Sequence, residues 1–146
     1  MPSPVAGRAR CWIEGGAGAR AVLLGLGIDL VEVERVEREI ETRGESLLDE
    51  VLCPGEIAYC RSKRRPGPHV AARFAAKEAL LKALGTGRAG RISWHDAEVV
   101  HDERGRPSFV LAGETARLVE ETGAREVHLS LTHTDTHASA MVALEG

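Results

Sequence analysis

The hydrophobic pattern near the start of the chain has a period of two between residues 22 and 30. Leucine and isoleucine occupy every second position there, which predicts a β-strand. The positions between them include Gly25, Gly27 and Asp29. The second face of this strand therefore carries almost no side chains and ends in a carboxylate.

Helical spacing follows this strand in two short segments and one long one. The first helix begins near Val33 and ends at Gly44, and a second helical segment over 47–52 is broken at Pro54-Gly55. A basic loop over 61–65 then leads to the strongest helical pattern of the chain, HVAARFAAKEALLKAL at 69–84, with Gly85 as its terminator.

The rest of the chain mixes short strands with one more helix. Residues 97–100 and 108–111 flank a turn-rich segment and predict a hairpin, and 114–121 predicts a helix. Two further strands, over 127–132 and 138–144, are separated by a polar turn. Because hairpins make part of the sheet antiparallel, the sequence predicts an α+β fold with a mixed or antiparallel sheet and one long helix.

Composition limits the classes of function. The 146 residues predict one domain over 21–146, behind a disordered leader over 1–20 that is rich in glycine, alanine, proline and arginine. A net charge of −3 and an aromatic content of 3% argue against nucleic-acid binding. No apolar run approaches the ~20 residues of a membrane span. Cys11, Cys53 and Cys60 form no CxxC pair, so we expect reduced thiols in a cytoplasmic protein.

The candidate metal ligands are two carboxylates, Asp29 at the end of the first strand and Glu78 in the long helix. Taken singly, each has an ordinary structural explanation, as a turn residue and as the partner of Lys82 one turn later. Arg73 and Lys77 extend a cationic stripe along the same helix, which predicts a surface for phosphate and metal. Mg²⁺ often takes only one or two carboxylates together with phosphate oxygens and water.

The polar turn holds two histidines, His133 and His137. Zinc is disfavoured, because a turn does not align two side chains four residues apart and a third ligand is not evident. His133 is either an exposed turn residue or a contact for phosphate, and the sequence assigns no role to His137. The glycine pattern of the first strand lacks the third glycine of a dinucleotide fingerprint, and the chain has no P-loop and no GxSxG motif.

Three segments occur in the order typical of a known family: GLGIDLVEVER from Gly25, RFAAKEALLKALGTG from Arg73 and LSLTHT from Leu129. They resemble the signature blocks of the holo-[acyl-carrier-protein] synthases, the short 4′-phosphopantetheinyl transferases. The resemblance implies a homotrimer with active sites between subunits. It also implies a magnesium-dependent transfer of phosphopantetheine from coenzyme A to a serine of acyl carrier protein, in fatty acid or polyketide biosynthesis.

The resemblance assigns roles residue by residue. It implies magnesium ligands at Asp29 and Glu78 and a catalytic set of Glu78, Lys82 and His133. Contacts to coenzyme A fall on Arg73, Lys82, Gly85, Thr86, Gly87, His133 and Thr134. Arg35 matches a residue that meets the acidic carrier, and the neighbouring cations Arg38, Lys63, Arg64 and Arg65 would widen that patch.

Two departures from the family pattern stand out. Thr132 occupies a position where the family often has serine, which keeps a hydroxyl. The first helix is acidic, which is unusual for a docking surface that must meet an acidic partner.

The sequence leaves part of the mechanism open. Serine has a high pKa, so a base must accept its proton, and Glu78 could do so directly or through a metal-bound water. His133 could instead position a phosphate. Two other functions remain as alternatives: a non-catalytic module that binds carrier protein or nucleotide, and a magnesium-dependent nucleotide hydrolase.

Overall fold

A three-stranded antiparallel sheet and one long helix form the centre of the computed structural model, which describes residues 20–86 and 92–146. The elements, in chain order, are β1 (Leu23–Glu32), α1 (Val33–Arg43), α2 (Glu45–Val51), α3 (Pro54–Arg61), α4 (Pro66–Leu84), a 3₁₀ turn (Trp94–Asp96), β2 (Ala97–His101), β3 (Pro107–Leu111), α5 (Gly113–Glu121), β4 (Glu126–His133) and β5 (His137–Glu145).

Both sheets are antiparallel. The larger sheet has the strand order β1-β5-β4, and β2 and β3 form a separate hairpin. The predicted α+β class and the predicted long helix are confirmed. Of the two sheet types that the sequence allowed, the described strands form the antiparallel one.

Two glycines of β1 allow α4 to lie directly on the strand. A Cβ atom at Gly27 would lie 1.8 Å from the carbonyl oxygen of Ala79, and one at Gly25 would lie 2.2 Å from that of Ala83. Only glycine fits such a close approach of two backbones. Asp29, the next residue on this face, is thereby held against α4.

The opposite face of β1 is apolar and exposed. Leu24, Leu26, Ile28 and Leu30 are 41 to 67% exposed, and Met141 of β5 lies exposed nearby. The core of the sheet lies on the glycine side instead, where Val142 and Leu144 of β5 are fully buried. A contiguous apolar surface on one face of a small protein indicates an interaction surface.

The second helix ends at Val51, before the predicted break at Pro54-Gly55, but the sequence missed the separate helix α3, which begins at Pro54. Proline is favoured at the first helical position, where its missing N–H costs nothing. The carboxylate of Glu56 accepts a hydrogen bond from the backbone N–H of Cys53 at 2.8 Å and so closes the first turn. The same preference for proline starts α4 at Pro66, three residues earlier than predicted.

Some predictions fall outside the described residues. These are Gly87 and the leader over 1–20, apart from Arg20. Within 20–86 and 92–146, no helix combines the length and the apolar character needed to cross a membrane.

Candidate active site

The structure brings Asp29, Glu78 and Lys82 together where α4 crosses the end of β1. The ammonium of Lys82 donates to the carboxylate of Asp29 at 2.8 Å and to the backbone carbonyl of Ile28 at 3.0 Å. The bond to Asp29, the charge of Asp29 and that of Glu78 together raise the pKa of Lys82 above its ordinary value. The predicted grouping of two carboxylates with one lysine is therefore present in the fold.

Asp29 and Glu78 also line one cavity of about 410 Å³. Its polar lining also includes Arg35 of α1 and His137 of β5. Its apolar lining comes largely from α1, α2 and α4, with side chains that include Val36, Leu47, Leu48, Val51, Leu52, Val70 and Phe74. A cavity with a few convergent polar groups on an apolar base is the usual form of a small-molecule site.

The donor set fits magnesium better than a transition metal. Among residues 20–86 and 92–146, no group of three or more histidine, cysteine, aspartate or glutamate side chains is placed to hold a metal ion. Two carboxylates leave most of an octahedron to water and to phosphate oxygens, which is the usual environment of Mg²⁺. His133 and His137 are separated by the turn between β4 and β5, and their rings contact different residues.

The predicted cationic stripe on α4 is divided between two sides of the helix. Arg73 and Lys82 are two and a half turns apart, so they point in opposite directions. Lys82 is exposed, whereas Arg73 and Lys77 are each 2% exposed. The prediction of one continuous surface for phosphate and metal was therefore wrong.

Lys77 belongs to a buried network. Its ammonium donates to the carboxylate of Glu56 at 2.7 Å and to the backbone carbonyls of Val51 and Trp94. Glu56 also accepts from the backbone N–H groups of Cys53 and Val99. The network ties α2, α3, β2 and the 3₁₀ turn to α4.

Arg73 lies over the ring of Tyr59, with its guanidinium carbon 4.1 Å from the ring centroid. One guanidinium nitrogen donates to the carbonyl of His69, whereas Nε and Nη2 are buried without a hydrogen-bond partner. Buried, unpaired donors are costly, so such groups mark a place where an acceptor is expected. The ring of His133 reaches the same place, 5.0 Å from that of His69.

The remaining predicted coenzyme A contacts lie in turns. Gly85 ends α4 in the left-handed conformation, with φ +72°. The hydroxyl of Thr134 accepts from the backbone N–H groups of Thr136 and His137 and shapes the turn after β4. Thr86 is exposed just beyond the end of α4. Gly85 and Thr86 follow Lys82 closely in the chain, and Thr134 follows His133 directly.

Most of the predicted docking cations are already paired with carboxylates. Arg35 contacts Glu39 at 3.4 Å, and Arg38 contacts Glu34 at 3.2 Å, all on α1. Arg65 donates two hydrogen bonds to Glu37, at 2.8 and 2.9 Å, and a third to the carbonyl of Asp135. Arg64 is exposed beside it. The acidic residues of α1 therefore offset much of the positive charge on this surface.

The sequence did not reveal Glu56, Tyr59, His69 and His101 as neighbours of functional residues. Glu56 and Tyr59 belong to α3, His69 belongs to α4 and His101 ends β2, so no single sequence motif contains all four. The signal available for Glu56 is its place two residues after Pro54, where a carboxylate in the first turn of a helix that begins at proline can bind a free backbone N–H. For the aromatic and imidazole rings, only the folded chain brings the residues together.

Comparison with known proteins adds to this geometry. A model of the 4′-phosphopantetheinyl transferase superfamily matches residues 25–140. A holo-[acyl-carrier-protein] synthase of Koribacter versatilis is 46% identical over 124 residues, which cover 85% of this chain and 99% of that protein.

Solved structures agree with that match. The chain is similar to the crystal structure of holo-[acyl-carrier-protein] synthase from Neisseria meningitidis, with a TM-score of 0.79, 32% identity and coverage of 86% of this chain and 100% of the other. It is also similar to a Bacillus anthracis holo-(acyl-carrier-protein) synthase in complex with CoA (3′,5′-ADP), with a TM-score of 0.70, 34% identity and coverage of 85% and 97%.

Proposed function

The chain belongs to the holo-[acyl-carrier-protein] synthase family, and from that membership we propose that it transfers 4′-phosphopantetheine from coenzyme A to a serine of apo acyl carrier protein. The products are holo carrier protein, ready for fatty acid or polyketide biosynthesis, and adenosine 3′,5′-bisphosphate. The observation that carries the proposal is the meeting of Asp29 and Glu78 at one cavity, with Lys82 hydrogen-bonded to Asp29. The catalytic domain is assigned to 21–146, which contains the matched residues 25–140.

Asp29 and Glu78 are the residues that would hold magnesium. Their two negative charges balance one divalent cation, and their oxygens suit its coordination preference. When bound, magnesium supplies charge stabilisation at the diphosphate of coenzyme A. Lys82 adds a mobile cation at the same place, because its exposed ammonium can turn from Asp29 towards a phosphate oxygen.

The serine hydroxyl of the carrier protein attacks the β-phosphorus of coenzyme A. A new bond forms between that oxygen and phosphorus, and the bond to adenosine 3′,5′-bisphosphate breaks. The serine proton passes to a base, which we assign to a carboxylate oxygen of Glu78, directly or through one water. Lys82 stabilises the charge that develops on the leaving oxygen.

The unpaired donors of Arg73 and the ring of His133 support a second contact region for coenzyme A. Buried guanidinium N–H groups without acceptors suit a phosphate, which can accept several hydrogen bonds at once. Gly85, Thr86, Gly87 and Thr134 are assigned to the same ligand from the family resemblance.

The two contact regions lie on opposite sides of α4, which supports an active site shared between subunits. A ligand that contacts both regions of one chain would have to pass around the helix. Two neighbouring chains can instead supply one region each, and the exposed apolar face of β1 offers a surface for such an assembly. This geometry supports a shared site, and the family resemblance supplies the number of subunits, from which we assign the chain to a homotrimer.

Complementation between inactive variants tests the shared site. Asp29→Asn and Arg73→Ala chains, co-expressed so that they form mixed trimers, should recover activity that neither variant has alone. If the two variants mix at random, about one interface in four combines an intact Asp29 region from one chain with an intact Arg73 region from its neighbour. Mixed trimers without activity would contradict a site built from two chains.

The transfer itself is tested by incubating the protein with coenzyme A, Mg²⁺ and apo acyl carrier protein, then weighing the carrier by mass spectrometry. A gain of one phosphopantetheine is expected. Glu120→Gln, on the far helix α5, serves as a control that should remain active, whereas Asp29→Asn should not. Binding without a mass gain would indicate a non-catalytic module, and release of phosphate or nucleotide without carrier modification would indicate a hydrolase.

A further inference from the structure

Four aromatic or imidazole rings and two cationic side chains lie together at the second contact region, the one that contains Arg73 and His133. We name this set the imidazole cluster; it consists of Tyr59, Lys63, His69, Arg73, His101 and His133. The rings of Tyr59 and His101 are stacked, with centroids 4.8 Å apart and planes 5° apart. His69 meets Tyr59 edge-on at 6.0 Å and His133 at 5.0 Å. Lys63 lies 4.3 Å from the centroid of the Tyr59 ring, and Arg73 lies over the same ring.

The cluster joins four separate parts of the fold. Tyr59 belongs to α3, His69 and Arg73 to α4, His101 to the end of β2 and His133 to the end of β4. None of these imidazoles has an assigned role except His133. The arrangement is nonetheless specific, because it surrounds the two buried guanidinium donors of Arg73 that lack an acceptor.

The charges around His69 and His101 are almost all positive. Burial, followed by His133, Lys63, Arg73 and His101, lowers the pKa of His69 below its ordinary value of 6.5. Burial, followed by Arg73 and Lys63, lowers the pKa of His101 in the same way, and only the Asp102 carboxylate acts in the other direction on it. Asp102 already accepts hydrogen bonds from the backbone of Arg104 and Arg106.

The other titratable group beside the cluster is the Cys60 thiol of α3. Burial raises its pKa. It therefore stays neutral near pH 7 and adds no charge to the cluster. In the absence of a ligand, His69 and His101 are mainly neutral at that pH, since a third and a fourth positive charge would repel Arg73 and Lys63.

We propose that the imidazole cluster is a proton-coupled phosphate site, in which His69 and His101 gain protons when a phosphate group binds at Arg73. The proposal rests on the proposed function, because it takes coenzyme A and its bisphosphate product as the ligands. The reaction does not require these protons. They make the affinity of the enzyme for its phosphate ligands depend on pH in the physiological range.

The physical basis is the reversal of charge at the site. A phosphate dianion replaces repulsion with attraction, so the protonated form of each neighbouring imidazole becomes more favourable. The proton is taken up from solvent when the ligand binds. Affinity is then highest below the pKa of the free histidines and falls as the pH rises through the pKa of the bound ones. A rise of one unit in one histidine corresponds to a tenfold change in affinity between these limits.

The first experiment follows the imidazole protons by NMR in the full chain. The pKa of each histidine is measured with and without saturating adenosine 3′,5′-bisphosphate. The values of His69 and His101 are expected to rise on binding. His128, which pairs with Glu145 at the far end of β4, is the internal control and should not change. Unchanged values for His69 and His101 in the complex would overturn the proposal.

The second experiment counts protons by calorimetry. Binding of the same bisphosphate is measured at pH 7.5 in two buffers with different ionisation enthalpies, so that proton uptake appears as a difference in heat. The wild-type chain is expected to take up protons, and the combined variant His69→Asn with His101→Asn should take up fewer and bind several-fold more weakly. His128→Asn should match the wild type.

The outcomes separate this proposal from the proposed function. Tight binding of the bisphosphate without proton uptake would refute the proton coupling and leave the transferase assignment intact. No binding by the wild-type chain would refute both the coupling and the assignment of coenzyme A contacts to Arg73 and His133. If the histidine variants do not fold, the NMR titration of the wild-type chain still decides the question.

Discussion

Two lysine–carboxylate pairs on the same helix have almost the same length and very different surroundings. Lys77 contacts Glu56 at 2.7 Å, and both side chains are almost completely buried. Lys82 contacts Asp29 at 2.8 Å, but its side chain is 53% exposed and that of Asp29 is 15% exposed. The distance between the charges therefore says little about the role of each pair.

The surroundings determine what each pair can do. Lys77 has three acceptors, and Glu56 has two further donors, so neither charge has a reason to change partner. Lys82 and Asp29 are reached by water and by ions, so their pairing can be exchanged for a ligand. The Lys77–Glu56 pair anchors the helix in the core, and the Lys82–Asp29 pair can exchange its contact for a metal ion or a substrate. This difference predicts opposite consequences for similar substitutions.

The largest effect is expected at the buried pair. Lys77→Met should destabilise the fold by about 3–5 kcal/mol, because it leaves the Glu56 carboxylate buried without its cation. Urea unfolding measures this loss. Lys82→Met is the matched control on the same helix, and it should cost far less, because the Lys82 ammonium is exposed to solvent. Similar losses for both variants would show that burial does not distinguish the pairs.

The next effect concerns catalysis, where the exposed pair should matter more than the buried one. Asp29→Asn should lower kcat/KM by about 100- to 1,000-fold with little change in unfolding free energy, because an anionic magnesium ligand is lost while the side-chain shape is kept. Steady-state transfer and urea unfolding of the same variant separate the two quantities. A variant that unfolds easily but retains normal turnover when folded would place Asp29 with the structural pair.

The comparison also explains which features the sequence could predict. The bare glycine face of β1 and the long α4 follow from local pattern, because period and residue size determine them. The side of α4 that carries Lys77 could not be identified in the same way. Alanine surrounds much of this helix, and its small side chains pack on nearly every side, so the helical pattern does not show which face meets solvent.

The candidate site required more than pattern. Asp29 and Glu78 are far apart in sequence, so residue type alone suggested their pairing only weakly, and the family resemblance strengthened it before the fold brought them to one cavity. α3 was missed because PGEIAYCR has no clear apolar stripe, and its first turn depends on Glu56. The imidazole cluster was missed because its members are isolated residues from four elements.

A third pair extends the comparison to the surface. Arg35 contacts Glu39 at 3.4 Å, and their side chains are 73% and 45% exposed. Such a pair contributes under about 1 kcal/mol to stability, so it can separate when a charged partner arrives. Arg35 also lines the cavity that Asp29 and Glu78 line. These properties suit a residue that meets the acidic carrier protein.

The smallest of the three effects is therefore expected from Arg35→Glu, which should raise KM for the carrier protein by about tenfold, since the change from attraction to repulsion at one exposed contact totals about 1.4 kcal/mol. KM for coenzyme A should change little, because the coenzyme A contacts lie elsewhere. The effect should weaken with salt, as it does for exposed charges. Glu39→Gln is the matched control, because it releases Arg35 from its own partner and should lower KM for the carrier slightly. Equal damage to both KM values would place Arg35 in the coenzyme A site, and unchanged values would leave its pairing with Glu39 as its only role.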